Sequence, residues 1–158
     1  MIREFRTEDT DAVLAIWLDA SLASHAFIDA AFWRGNVQAM RDVYLPLART
    51  WVYEKEGEVV GFISMNGEYV AALFVAPKWQ GRRVGTTLLN HAKTLSSVLR
   101  LAVYTENTAA CRFYARHGFT LVQERLDETT GHREQVMRWE QPGSTRFTAD
   151  GGKNDVEP

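Results

Sequence analysis

The chain of 158 residues has one cysteine, Cys111. An internal disulfide is therefore impossible, and a cysteine-based zinc site has no ligands to draw on. The 4 histidines, at positions 25, 91, 117 and 132, show no His-x-x-x-His pairing, so no metal is expected. No apolar run approaches the ~20 residues of a membrane-spanning helix. The charged start Met1-Ile2-Arg3-Glu4 lacks a signal-peptide layout. Basic charge is not in excess either: 18 Lys and Arg stand against 20 Asp and Glu, a net charge of −2. That balance argues against a generic nucleic-acid or membrane-surface binder. A soluble, cytoplasmic domain is the expectation. A chain this long buries roughly 70% of its unfolded surface, enough for a core without a covalent staple.

What is present alternates between two periods. Ile2 to Arg6 reads as a strand, and Thr7 can cap a helix whose apolar face is Val13, Ile16, Trp17 and Ala20. Trp33, Val37, Met40 and Tyr44 suggest a second helix, with Pro46 just past its end. Trp51–Glu54 and Val59–Met65 flank Glu56-Gly57, a hairpin signal. Tyr69–Val75 is apolar almost throughout, which suits a central strand covered on both faces. After the loop Lys78–Arg83 comes a helix with Val84, Leu88, Leu89, Ala92 and Leu95 on one side. Val98–Tyr104 is a further buried strand. Asn107 caps a helix carrying Ala110, Phe113, Tyr114 and His117, and Gly118 suits a left-handed C-cap. Phe119–Arg125 and Glu134–Trp139 form a closing antiparallel pair around Gly131. The expected class is α/β with a mixed sheet, in the order β-α-α-β-β-β-α-β-α-β-β. One domain spans 1–140. The Gly- and Pro-containing stretch 141–158 reads as a flexible tail, because it cannot bury enough apolar surface to offset its ordering entropy.

Acidic residues are also missing locally. None lies between Tyr69 and Thr105, yet Lys78, Arg82, Arg83, Lys93 and Arg100 do. That stretch contains Gln80-Gly81-Arg82-Arg83-Val84-Gly85-Thr86, leading from a strand into a helix. A helix N-terminus offers unpaired amides and partial positive charge, and glycines let the backbone approach a ligand closely. The physical reading is a pyrophosphate cradle; the alternative is an ordinary loop with solvated arginines. A Walker loop would need a lysine after Gly85, and a dinucleotide fingerprint would sit near the first strand, so neither applies.

This passage resembles the acetyl-CoA loop of the GNAT superfamily of N-acetyltransferases, Gln/Arg-x-x-Gly-x-Gly/Ala. A second block also matches: Asn107, then Phe113-Tyr114-Ala115-Arg116-His117-Gly118-Phe119. The resemblance covers residues 1 to about 140. The surroundings of Trp33 and Trp51, with His25-Ala26-Phe27-Ile28, look most like a small bacterial subgroup implicated in protein lysine acetylation. The family's middle glycine is Arg83 here, and a helical φ is expected there, with the helix already starting.

The resemblance implies acetyl transfer from acetyl-CoA to a primary amine by direct attack in a ternary complex. An alkyl ammonium has a pKa of roughly 10.4 and must lose a proton before it attacks. The departing thiolate needs a proton donor, and the developing oxyanion a hydrogen bond. Tyr114 matches the family's general acid; otherwise it is one more buried aromatic. Leu73, Phe74 and Val75 match the strand that pairs with the pantetheine arm. Gln80, Gly81, Arg82, Arg83, Val84, Gly85 and Thr86 match the pyrophosphate loop. Asn107 matches a cofactor contact, and a helix N-cap explains it equally well.

The family's basic glutamate is matched by Ala102, so that group is absent. Candidates for the base are Glu68, Tyr69, Glu106 and His25, or a water chain to bulk solvent; His25 and Tyr69 are also the candidate substrate contacts. Cys111 reads as a small core side chain. The favoured acceptor is a protein lysine or N-terminal amine, and the protein itself is expected to be a monomer or homodimer. Alternatives are a small-molecule amine, an aminoacyl-tRNA, or an idle acyl-CoA sensor that regulates a partner.

Overall fold

The computed structural model describes residues 1–143 and the backbone of Phe147–Asp150 and Gly152–Asp155. The order read from sequence is present: β1 Ile2–Glu4, α1 Thr10–Ser24, α2 Ala30–Gly35, β2 Arg49–Lys55, β3 Glu58–Asn66, β4 Tyr69–Val75, α5 Val84–Leu95, β5 Val98–Tyr104, α6 Thr108–Arg116, β6 Thr120–Asp127 and β7 His132–Glu140. Between α2 and β2 lie two short turns, α3 Val37–Ala39 and α4 Leu45–Leu47. Strands β8 Phe147–Asp150 and β9 Gly152–Asp155 pair antiparallel with each other. The rest of the expected tail beyond Gly143 lies outside the described residues.

Seven strands form one mixed sheet in the order β1-β2-β3-β4-β5-β7-β6. The apolar stripe of α5 packs one face through Val84, Leu88, Leu89 and Ala92, joined by Tyr114 and Phe119. Leu95, expected on that stripe, is exposed instead. The other face carries α1 and α2 through Val13, Ile16, Trp17 and Trp33 against Val52 and Phe62. Gly61 on β3 is required by close approach: a Cβ there would lie 3.0 Å from Val84 and 3.2 Å from the Phe74 carbonyl.

Three local expectations are corrected. Thr7 does not cap α1; it opens a 3₁₀ turn, Thr7–Asp9, and the buried Asp9 carboxylate takes over the junction. Asp9 accepts from Arg6 N–H at 2.8 Å and from both terminal nitrogens of Arg3 at 2.8 and 3.0 Å. The second helix is not continuous. A π-helical turn, Met40–Tyr44, separates α3 from α4, and Pro46 sits inside α4 rather than beyond it. Proline at the second position of a new turn has no intrahelical donor to lose, which is why α4 tolerates it.

The third correction matters most. Strand β4 is central, as its apolar run suggested, but it is only half covered. It pairs with β3 from Tyr69 to Val75, and with the parallel β5 only at Tyr69 and Arg100. Beyond that point the strands diverge. The edge of β4 facing β5 keeps unpaired backbone groups, and a cleft opens in the middle of the sheet.

Candidate active site

The loop after β4 is clamped before it turns. Gln80 Nε2 donates to the Val75 carbonyl at 3.0 Å, tying the loop to the end of the strand. Gly81 follows at φ +78°, and a Cβ there would meet no atom within 4 Å, so the position is both left-handed and open. Arg83 is left-handed as well, at φ 66°, which overturns the helical backbone expected there. The helix starts one residue later, at Val84, and Arg83 occupies the N-cap position with no side-chain cap. A non-glycine residue in this region costs about 1 kcal/mol. The first amides of α5 have no side-chain acceptor and point outward from a positive dipole end.

Two cavities flank the gap between β4 and β5. One, about 460 Å³, is bordered by Leu73, Phe74 and Val75, by Gln80, Gly81, Arg83, Gly85 and Thr86 of the loop, and by Asn107. Arg82 and Val84 do not border it. The Arg82 guanidinium lies over the Trp79 ring, 5.0 Å from its centre, and Val84 is buried in the core. Thr86 Oγ1 lies 3.3 Å from His117 Nε2. The other cavity, about 410 Å³, is bordered by His25 and Tyr69 and has Tyr44 and Leu47 at its edge. His25, Leu73, Phe74, Asn107, Ala110 and Tyr114 border both.

That shared boundary has defined chemistry. Tyr114 is buried, and burial holds its phenol well above the ordinary value, so it stays protonated at neutral pH. Among the described residues its hydroxyl has no hydrogen-bond partner. Asn107 caps α6 by accepting from Ala110 N–H at 3.2 Å through Oδ1. Its Nδ2 must then donate to His25 Nε2, also at 3.2 Å. The imidazole is fixed with its proton on Nδ1, where it is buried and unpaired. Desolvation lowers the His25 pKa to about 4, so the ring is neutral.

The acetyltransferase (GNAT) domain family matches residues 46–121. The peptidyl-lysine N-acetyltransferase YiaC of Escherichia coli strain K12 is 37% identical over 140 residues, covering 88% of this chain and 96% of that protein. The chain belongs to the GNAT acetyltransferase family. It is an acetyl-CoA-dependent N-acyltransferase. The peptidyl-lysine N-acetyltransferase YjaB of Salmonella typhimurium is 36% identical over 119 residues, covering 75% of this chain and 81% of that one. Among solved structures, apo YjaB from Escherichia coli superposes with a TM-score of 0.79 at 28% identity, covering 89% of this chain and 97% of that chain.

The residues present fit the GNAT co-substrate. The uncapped α5 N-terminus, the open left-handed Gly81 and the basic Arg83 suit a diphosphate. The unpaired edge of β4 suits an extended amide-bearing arm. Trp79 borders the same cavity, with its indole N–H buried and unpaired. Arg116 borders it too and was not foreseen; its position follows from α6 presenting one turn toward the loop.

The candidate bases separate clearly. Glu68 pairs with Arg100 on the surface, and Glu106 pairs with His132 Nδ1 at 2.6 Å; neither borders either of these two cavities. His25 offers no free lone pair, since Nε2 already accepts from Asn107. Tyr69 borders the cavity, its phenol pushed up by burial and then by the nearby Glu134. Ala102 faces the cavity as well, so that position supplies no carboxylate. Across the sheet, Ala102 pairs with Val136 and Tyr104 with Glu134, which places all four on one face. Glu134 and Tyr104 were missed by the sequence reading. Alternation within β7 shows which residues share a face, but not that this face opens onto a cleft.

Proposed function

We propose that this GNAT protein acetylates lysine ε-amines of proteins or peptides, with Tyr114 as the acid that protonates the departing thiolate. One observation carries the reading: a loop-side cavity and a second cavity with an exposed mouth meet at Tyr114. Acetyl-CoA, when bound, supplies the acetyl group as an activated thioester. Gly81, Arg83, Gly85 and Thr86 hold its diphosphate, and the free edge of β4 aligns the arm. An N–H of Leu73, Phe74 or Val75 stands ready for the carbonyl oxygen. Tyr114 remains a phenol because its surroundings are too apolar for a phenolate, which is what an acid acting at neutral pH needs.

The acceptor reading rests on the second cavity and on the names of YiaC and YjaB. Its mouth exposes Tyr44 and Leu47, 58% and 74% accessible, with Tyr69 beside them. An exposed apolar rim suits a long side chain projecting from a macromolecule better than a fully enclosed metabolite. The test is thiol release from acetyl-CoA with lysine-containing peptides, the same peptides with lysine replaced by norleucine, and a panel of small amines. Release that depends on the lysine is expected; release only with free small amines would overturn the acceptor, and release with none of them would favour an idle acyl-CoA sensor.

A further inference from the structure

Among the residues that border the acceptor-side cavity, Glu134 alone carries a formal charge at neutral pH. The rest of the wall is aromatic, aliphatic or neutral polar. A carboxylate in such a wall costs desolvation and persists only if something holds it. Here the holder is Arg125, the cross-strand neighbour on β6, whose Nε donates to Glu134 Oε2 at 2.6 Å. The two ends of this pair differ in surroundings. The Glu134 side chain is 15% accessible and the Arg125 side chain 47%, so water screens the cation while the anion borders the cavity. Arg125 itself does not border the cavity. Oε1 of Glu134 has no hydrogen-bond partner among the described residues, and it is not among the sealed, unpaired polar atoms. The nearby Asp127 carboxylate is already engaged, accepting from the Tyr104 hydroxyl at 2.6 Å.

We infer that Glu134 is the anionic subsite that recognises the acceptor's positive charge, with Arg125 as the positioning residue that fixes the carboxylate and leaves Oε1 for an alkyl ammonium. The inference deepens, and rests on, the reading of the acceptor as a lysine side chain. An ammonium is a compact cation with three donors on a flexible stem, and an otherwise uncharged cavity wall with one free carboxylate oxygen discriminates it from a neutral chain of equal length. Tyr69 and Tyr104 line the approach and add aromatic faces that favour a cation.

The experiment measures binding of two otherwise identical peptides to the CoA-loaded protein, one carrying lysine and one norleucine. Free CoA has no acetyl group to transfer, so the lysine stays an ammonium with its three donors. The wild-type protein is expected to prefer the cationic peptide by roughly tenfold, the scale of one charge-assisted contact. Glu134→Gln is expected to abolish that preference, and Arg125→Gln, which releases the carboxylate from its fixed position, to narrow it. An unchanged ratio in Glu134→Gln overturns the subsite, as does a wild-type protein without preference. Should Glu134→Gln fail to fold, an unchanged ratio in Arg125→Gln overturns it instead. A protein that prefers the cation yet releases no thiol with lysine peptides keeps the subsite and removes the protein-lysine reading.

Discussion

Asn107 and His25, 82 residues apart in sequence, are joined by a 3.2 Å contact at the wall between the two cavities. Because Asn107 Oδ1 is committed to capping α6, the amide has only its Nδ2 to offer, and the imidazole must accept. One residue thus starts a helix and sets a tautomer. Asn107→Ala should cost about 1 kcal/mol through the lost cap, measured by denaturant unfolding, and should also leave His25 with both ring nitrogens unpaired.

His25 makes stability pH-dependent. Its folded pKa of about 4 lies below the ordinary 6.5, so between those values the unfolded chain binds the extra proton. Stability is therefore full above 6.5 and falls as the pH drops toward 4, by on the order of 3 kcal/mol from this group. His25→Phe should flatten that part of the stability profile. The acidic limb of kcat/KM should stay where it is, since the ring has no free lone pair for an ammonium proton. A shifted limb would restore His25 as the base.

Tyr114→Phe removes one oxygen from the shared wall. Turnover should fall by about 10²- to 10⁴-fold, the usual range for loss of a positioned acid. The acetyl-CoA dissociation constant should hardly change, because the ring stays. Steady-state kinetics paired with calorimetric titration separates the two, and unchanged turnover would take Tyr114 out of the chemistry.

Arg83→Gly tests the left-handed turn. Relief of about 1 kcal/mol of backbone strain should raise Tm by roughly 2–4 °C for a chain of this size. Loss of an exposed guanidinium should weaken acetyl-CoA binding by about threefold. A lower Tm would mean that the arginine side chain stabilises the loop more than its backbone strains it.

Asp9→Asn addresses the other end of the sheet. Asp9 is held below the ordinary carboxylate range chiefly by Arg3, and this stabilisation is lost as the pH falls through that depressed value. Losing a buried carboxylate with three charge-assisted or backbone bonds should cost about 2–3 kcal/mol at pH 7. The difference between variant and wild type, read from urea midpoints, should shrink toward acid pH.

The strand-loop-helix passage was legible because its signals are local. Gln80, Gly81 and Gly85 stand in fixed spacing, and Asn107 and Gly118 bracket α6 as capping chemistry requires. The helical phase of Trp33, Val37, Met40 and Tyr44 was legible too, but not the π-helical turn that interrupts it, since one extra residue in a turn leaves the apolar pattern almost intact. Arg83 was misread because a glycine is the usual sign of a left-handed residue, and here an arginine takes that conformation. Glu134 was invisible for a different reason. Its significance depends on β7 inserting between β5 and β6 and on β4 parting from β5, and both are long-range facts.

The most direct test is a crystal structure with coenzyme A bound. The diphosphate should lie within hydrogen-bond distance of main-chain amides between Gly81 and Thr86, and the thiol should reach the wall formed by Tyr114 and Asn107. A diphosphate bound away from that loop, or a thiol emerging on a side of the sheet that Tyr114 does not border, would contradict the account.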